Sequence, residues 1–275
     1  MNTCFTEIVE TQQEGLDVPN FEFSGSSFLV TGGTSGIGYE VAKLAAFFGG
    51  RVHLMARGKD VENTRKALEE LPDVSAGPHT FMPIDVSDAG AFDQMLFEHL
   101  KIYGAPDCVF HSTGANNVGL VTNLPIDAFD ETFHLNVRSA FVLLRRLLPP
   151  MFERKSGSLL FNASVKGLVN HPEDPLYCAS KAALVSLVKS VSLTVAASGV
   201  RINCICPGPV QTKQLDSNPQ VLQRIPLGRA ADVSEVANIA CFLLSNYSSY
   251  ITGAAIPVDG GKAAGIFPPF GGVQQ

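Results

Sequence analysis

Short apolar runs alternate along this chain with longer stretches of helical periodicity. The runs are Ser27–Thr31, Val52–Ala56, Thr80–Ile84, Cys108–Ser112, Ser158–Ala163, Arg201–Cys206 and Ala255–Val258. Their lengths and the turn residues that bound them predict buried strands. Between them, Gly38–Phe48, Val61–Leu71, Ala89–Tyr103, Asp127–Phe152, Leu176–Ala197 and Val233–Leu244 predict helices. Such alternation means an α/β fold with a doubly wound parallel sheet of about seven strands. Asp232 and Glu235 stand three apart at the start of the last helix, the spacing of a capping box. In Leu176–Ala197 the apolar residues run nearly all round the helix, more than one sheet can cover, so a second protein surface is expected against it.

At 275 residues, with 45% hydrophobic and 17% charged content, the chain suits one large domain. No repeat or low-complexity linker divides it. Residues 1–24 read as an N-terminal extension, 25–261 as the domain and 262–275 as a C-terminal tail. A formal net charge of −6 provides no global positive field, which argues against nucleic acid and anionic membrane and leaves a small molecule as the ligand. Six scattered cysteines, several inside apolar runs, fit a reduced cytoplasmic protein. Cys204 and Cys206 are expected on opposite faces of their strand, and no metal site is proposed. The first cation is Lys43, after an acidic leader, so no export signal is readable. Charge or glycine breaks the apolar runs short of about 18 residues, and no transmembrane helix is expected.

Candidate chemistry begins directly after the first strand, at Thr31-Gly32-Gly33-Thr34-Ser35-Gly36-Ile37-Gly38. A glycine-rich turn between strand and helix lets backbone approach a pyrophosphate and offers it the unpaired N–H groups of the helix N-terminus. Gly32, Thr34, Ser35, Gly36, Ile37 and Gly38 are therefore candidate dinucleotide contacts. Cofactor choice turns on the end of the second strand, where a carboxylate would accept hydrogen bonds from the adenosine ribose. Here that place is Ala56, followed by Arg57 and, close behind, Lys59. A cation, with the Ser35 hydroxyl nearby and no carboxylate, suits a 2′-phosphate, so the expected cofactor is NADP(H).

Farther along, Tyr177 and Lys181 stand four apart at the start of a helix and share one face. Ser164 precedes the tyrosine by thirteen residues, at a strand end, and Asn136 lies upstream. With the Thr-Gly-x3-Gly-x-Gly turn, these residues resemble the short-chain dehydrogenase/reductase family and its single-domain Rossmann fold. Asp85-Val86 matches the family's adenine-side pair, Gly114 the glycine after the fourth strand, and Pro207-Gly208 through Val210 and Thr212 its nicotinamide-side turn. The resemblance runs over roughly residues 25–261. Ile225-Pro226-Leu227-Gly228-Arg229, Tyr250-Ile251-Thr252-Gly253 and Val258-Asp259-Gly260-Gly261 look most like the bacterial 3-oxoacyl-carrier-protein reductase branch.

The resemblance implies Asn136, Ser164, Tyr177 and Lys181 as the catalytic set. Reducing a carbonyl moves hydride to carbon and a proton to oxygen, so the site needs a donor that is also an acid. A phenol titrates near pH 10, and a neighbouring ammonium is expected to lower it toward working pH. Tyr177 is then the acid in reduction and the base in oxidation, Lys181 holds the nicotinamide ribose, Ser164 binds the substrate oxygen, and Asn136 supports a proton path. A homodimer or homotetramer is implied as well.

The chain departs from the family where Asn-Asn-Ala-Gly is usual, showing His111-Ser112-Thr113-Gly114, and His111 reads as a structural residue. His171 reads as pocket wall. Specificity is assigned to Val165–Leu176 and Gln211–Gln223, both following strand ends that open on the crevice. The leading function is an NADP(H)-dependent oxidoreductase acting on the ketone or secondary alcohol of a specialised small metabolite. The alternatives are a 3-oxoacyl-thioester reductase and a non-catalytic NADP(H)-binding sensor or scaffold.

Overall fold

Seven parallel strands form one sheet in the computed structural model, which describes residues 21–57, 61–212 and 222–265. In chain order they are β1 Ser27–Thr31, β2 Arg51–Ala56, β3 Thr80–Pro83, β4 Cys108–His111, β5 Gly157–Asn162, β6 Val200–Pro207 and β7 Ala255–Val258. The spatial order is β3-β2-β1-β4-β5-β6-β7. Between β3 and β4 the chain crosses from one edge back to the middle, so β1 and β4 become neighbours in register from Phe28↔Cys108 to Thr31↔His111. That reversal opens a crevice at the carboxyl ends of β1 and β4, where open α/β sheets bind ligands. Lys59, Cys4 and most of Gln211–Gln223 lie outside the described residues.

Successive strand residues point to opposite faces, and both faces are covered. The covering helices are α1 Gly36–Phe47, α2 Val61–Glu69, α3 Ala89–Tyr103, α4 Asp127–Phe133, α5 Ser139–Arg154, α6 Pro175–Val195 and α7 Val233–Leu244. On one face Leu29, Val109, Leu159 and Phe161 meet Phe92, Leu96, Leu143 and Leu184 of α3, α5 and α6. On the other, Val30, Leu54, Phe110 and Leu160 meet Val41 and Ala45 of α1 and Val236 and Ala240 of α7. Upstream of β1, Phe21 and Phe23 are buried, with ring centroids 5.3 Å from Phe48 and 4.7 Å from Phe28 respectively. Glu235 accepts from the Asp232 N–H at 2.8 Å, the return half of the expected box on α7.

Two expectations need correction. Cys204 and Cys206 do not diverge: two steps along a strand return a side chain to the same face. Both are fully buried in the core beneath α6, and the Cys204 thiol donates to the Ala254 carbonyl at 3.6 Å. The predicted helix Asp127–Phe152 is not continuous, because a π-helical turn, His134–Arg138, separates α4 from α5. α5 then runs through Pro149 and Pro150 to Arg154. The carbonyls freed by these prolines belong to Arg145 and Arg146, outside the buried stripe, where water can satisfy them.

The buried residues of α6 include Cys178, Lys181, Leu184, Val185, Val188, Ser192 and Val195, one stripe at helical spacing, while Leu193 is 84% exposed. By length and hydropathy Pro175–Ser198 could cross a membrane. It is instead a helix packed along one side of the sheet.

Behind β2 sits a polar fault in the core. His53 and His99 are both 1% exposed, with ring centroids 5.0 Å apart, and neither nitrogen of His99 has a hydrogen-bond partner. Burial pushes His53 down to about 3 and His99 to about 4. The unfolded chain therefore takes up these protons first, near pH 6.5, and stability present above that pH is lost as pH falls toward 4. Each such histidine contributes a slope of about 1.4 kcal/mol per pH unit in that window. Melting curves of wild type and His99→Phe at pH 7.5 and pH 5 check this: the drop in Tm between the two pH values is expected to be smaller in the variant.

Candidate active site

The turn between β1 and α1 is shaped by close backbone approach. A Cβ on Gly38 would lie 2.3 Å from the Gly32 carbonyl oxygen, so only glycine lets the first turn of α1 rest on the chain leaving β1. Ser35 is the N-cap residue in an extended conformation, and its side chain makes no capping hydrogen bond. The first N–H groups of α1 are thus offered outward beside an uncommitted cap hydroxyl, a cradle suited to a diphosphate. Thr34, Gly36 and Ile37 complete the turn. Thr212 Cγ2 lies 3.4 Å from the position of a Gly36 Cβ, which brings the segment after β6 against the cradle.

The other dinucleotide candidates sit along the same sheet edge. Pro207 ends β6, Gly208 donates to the Val258 carbonyl at 3.0 Å, and Val210 bridges to Ala231. Asp85 and Val86 follow β3. The Asp85 carboxylate accepts from the Ser87 N–H at 3.0 Å and hydroxyl at 2.7 Å, while Val86 is buried. Ala56 pairs with Pro83, so the exposed Arg57 leaves the sheet beside the strand that leads to Asp85.

Across the crevice, two polar side chains converge on Gly114. Lys181 Nζ and Asn136 Oδ1 lie 3.2 and 3.3 Å from the point its Cβ would occupy, so any larger residue would intrude between them. The π-helical turn carries Asn136, and such bulges recur at functional sites because they re-aim one side chain. Asn136 Oδ1 accepts from the Ala115 N–H at 2.9 Å, and its Nδ2 donates to the Ala115 carbonyl at 3.0 Å and the Ser180 hydroxyl at 2.9 Å. Lys181 is 3% exposed and donates to the Asn162 carbonyl at 2.8 Å. Burial pushes its ammonium down to about 8. The Lys181 Nζ stands 5.6 Å from the centre of the Tyr177 ring. Ser164 follows β5 and caps the short turn Val165–Gly167 by accepting from the Lys166 N–H at 3.1 Å.

Tyr177 differs from expectation in its titration. Burial raises its phenol above the ordinary range, the Ser164 hydroxyl draws it back, and Asp174 adds to the rise. Lys181 does not set it, because that ammonium is itself desolvated and bound to the Asn162 carbonyl. His111 is structural as expected: its ring meets Thr31 at 2.8 Å and Ser139 at 2.9 Å, and burial holds it neutral down to about 3. His171, Asp174, Lys166 and Asn116 form a polar cluster at the outer end of this site, with His171 Nδ1 3.0 Å and Asn116 Nδ2 2.8 Å from the Asp174 carboxylate. Sequence reading placed His171 there but missed Asn116, Lys166, Asp174, Ser180 and Asn162. Asn162 acts through its carbonyl, which no residue type advertises. The Val165–Leu176 loop was the available signal for Lys166 and Asp174.

A family model described as enoyl-(acyl carrier protein) reductase matches residues 32–263. The chain is 33% identical over 240 residues to a 3-oxoacyl-[acyl-carrier-protein] reductase, FabG, of Chlamydia muridarum, covering 86% of this chain and 96% of that protein. It is 30% identical over 253 residues to a D-beta-hydroxybutyrate dehydrogenase of Rhizobium meliloti, covering 86% and 98%. Among solved structures, levodione reductase superposes with a TM-score of 0.81 at 29% identity, covering 88% of this chain and 99% of that one. With this sheet, this glycine turn and these matches, the chain belongs to the short-chain dehydrogenase/reductase family, as a nicotinamide-dependent oxidoreductase of the CH–OH/C=O type.

Proposed function

We propose that the chain is an NADP(H)-dependent enzyme interconverting a ketone and a secondary alcohol on a specialised small metabolite, with Asn136, Ser164, Tyr177 and Lys181 as its catalytic set. The observation that carries this reading is the convergence of Lys181 and Asn136 on Gly114, with the Tyr177 ring centre 5.6 Å from the Lys181 Nζ and Ser164 beside Tyr177. When bound, the nicotinamide supplies a hydride to the carbonyl carbon or removes one from the alcohol carbon. Tyr177 donates the proton to the oxygen, turning C=O into CH–OH. Its raised titration keeps it protonated at neutral pH, the form that reduction needs. Ser164 holds the substrate oxygen beside the phenol. Lys181 holds the nicotinamide ribose, and Asn136, fixed by Ala115 and Ser180, supports water through which Tyr177 regains its proton.

For the 2′-phosphate we assign Arg57, with the Ser35 hydroxyl as second donor, since Ala56 presents no carboxylate to repel it. Gly32, Thr34, Gly36, Ile37 and Gly38 line the pyrophosphate, Asp85 and Val86 the adenine side, and Pro207, Gly208, Val210 and Thr212 the nicotinamide side. The catalytic domain is taken as residues 25–261. A cytoplasmic homodimer or homotetramer fits the exposed apolar residues Phe141 and Leu193. The name of the Chlamydia muridarum relative supports 3-oxoacyl-thioester reduction as a second reading.

Three measurements test these assignments. In a panel of small free ketones with and without a second carbonyl oxygen, a 3-oxoacyl thioester and a 2-enoyl thioester with both nicotinamide cofactors, one of the small free ketones with NADPH is expected to give the highest kcat/KM. A strong preference for either thioester would reverse that order. Tyr177→Phe is expected to lower kcat by about 10²–10⁴-fold while NADPH still binds, since one general-acid group is worth about that much; substantial residual turnover would place the proton elsewhere. Arg57→Ala is expected to cut the NADPH-over-NADH ratio of kcat/KM by about 10-fold or more, the loss of one charge-assisted contact. An unchanged ratio would remove Arg57 from the phosphate site.

A further inference from the structure

Lys166 has no part in the proton chemistry above, yet it is held in place beside it. It lies two residues after Ser164, and its backbone N–H donates to the Ser164 hydroxyl at 3.1 Å. Its Nζ stands 5.9 Å from the centre of the Tyr177 ring, close to the 5.6 Å of Lys181. The two ammonium groups differ in access: Lys181 is 3% exposed, whereas the Lys166 side chain is 29% exposed.

A buried carboxylate anchors this lysine. Asp174, one turn ahead of Tyr177 on the same loop-to-helix junction, is 2% exposed and pairs with the Lys166 Nζ. Asn116 and His171 bind the same carboxylate, at 2.8 and 3.0 Å. Burial alone would favour the neutral acid, but the hydrogen bonds from Lys166 and Asn116 hold Asp174 below the ordinary carboxylate range. An ammonium has three donors. One is spent on Asp174, and with the side chain 29% exposed and its Nζ 5.9 Å from the centre of the Tyr177 ring the others are open to a bound molecule. Lys262, partly buried after β7, has its ammonium lowered first by burial and then by the charges of Lys166 and Arg224.

We infer that Lys166 is a specificity-determining residue that donates a hydrogen bond to a second oxygen of the substrate, one carried on the chain beside the carbonyl held by Ser164 and Tyr177. The preferred substrates are thus carbonyl compounds with another acceptor oxygen a few bonds away, as in β-keto esters, β-keto acids or β-diketones, rather than simple ketones. This rests on the proposed ketone reduction at the same site.

The test compares NADPH-dependent reduction of methyl acetoacetate, acetoacetate and 2-pentanone by wild type, Lys166→Met and Lys166→Met/Asp174→Asn. The double variant keeps the protein folded if the single change strands the buried carboxylate, and a thermal melt reports on folding in each case. For wild type, kcat/KM is expected to be at least 10-fold higher for a two-oxygen substrate than for 2-pentanone. Methyl acetoacetate ahead of acetoacetate marks a neutral acceptor, and the reverse an anionic one; either supports the inference. In a folded variant the preference is expected to collapse to within 2-fold, through KM for the two-oxygen substrate rather than its kcat. Equal wild-type efficiency for all three ketones, or a variant that loses them in parallel, overturns the role of Lys166 while leaving ketone reduction standing. Turnover of none of them by wild type, on ketones or on the wider carbonyl panel, overturns the functional reading itself and this inference with it.

Discussion

A buried ammonium organises the functional half of this molecule. Removing Lys181 from water is costly for the charged form, and the descent of its titration to about 8 registers that cost. The position is tolerable because the Asn162 carbonyl at the end of β5 accepts from Nζ at 2.8 Å and Gly114 leaves room above it. Both conditions are backbone features of strand ends. The sheet therefore decides where α6 can sit, and α6 carries Tyr177 and Lys181 on one face.

The remaining polar groups follow from that placement. Gly114 can be flanked by Asn136 only because the π-helical turn between α4 and α5 turns the amide inward, where Ala115 and Ser180 satisfy it. Ser164 leaves β5 two residues after Asn162, beside Tyr177. On the far side of the switch between β1 and β4, the glycine turn presents N–H groups rather than side chains. The crevice thus has one wall of outward-facing backbone N–H groups and one of buried polar side chains, and each is built at the carboxyl ends of parallel strands.

Much of this was legible in the sequence because it depends on periodicity and residue type. The seven strands fall within a residue or two of their expected bounds, and the Tyr177–Lys181 spacing needs only helical geometry. What escaped reading depends on packing. The π-helical turn leaves the apolar periodicity of 127–152 nearly intact, so nothing announced the break. Burial rather than Lys181 dominates the Tyr177 phenol, a balance that no spacing encodes. Asn162 and Ala115 act through backbone atoms. Lys166 and Asp174 are eight apart in a loop with no repeat, and only the fold brings them together. The opposite-face reading of Cys204 and Cys206 failed for a different reason: it miscounted the strand period of two.

The most direct test of the central claim is a crystal structure of the protein with NADP⁺ bound. The account predicts the diphosphate on the turn Gly32–Gly38, the Lys181 ammonium within hydrogen-bonding distance of the nicotinamide ribose, and the Tyr177 hydroxyl facing the nicotinamide ring. A cofactor seated away from that turn, or a Tyr177 hydroxyl directed out of the crevice with Lys181 contacting protein alone, would contradict it.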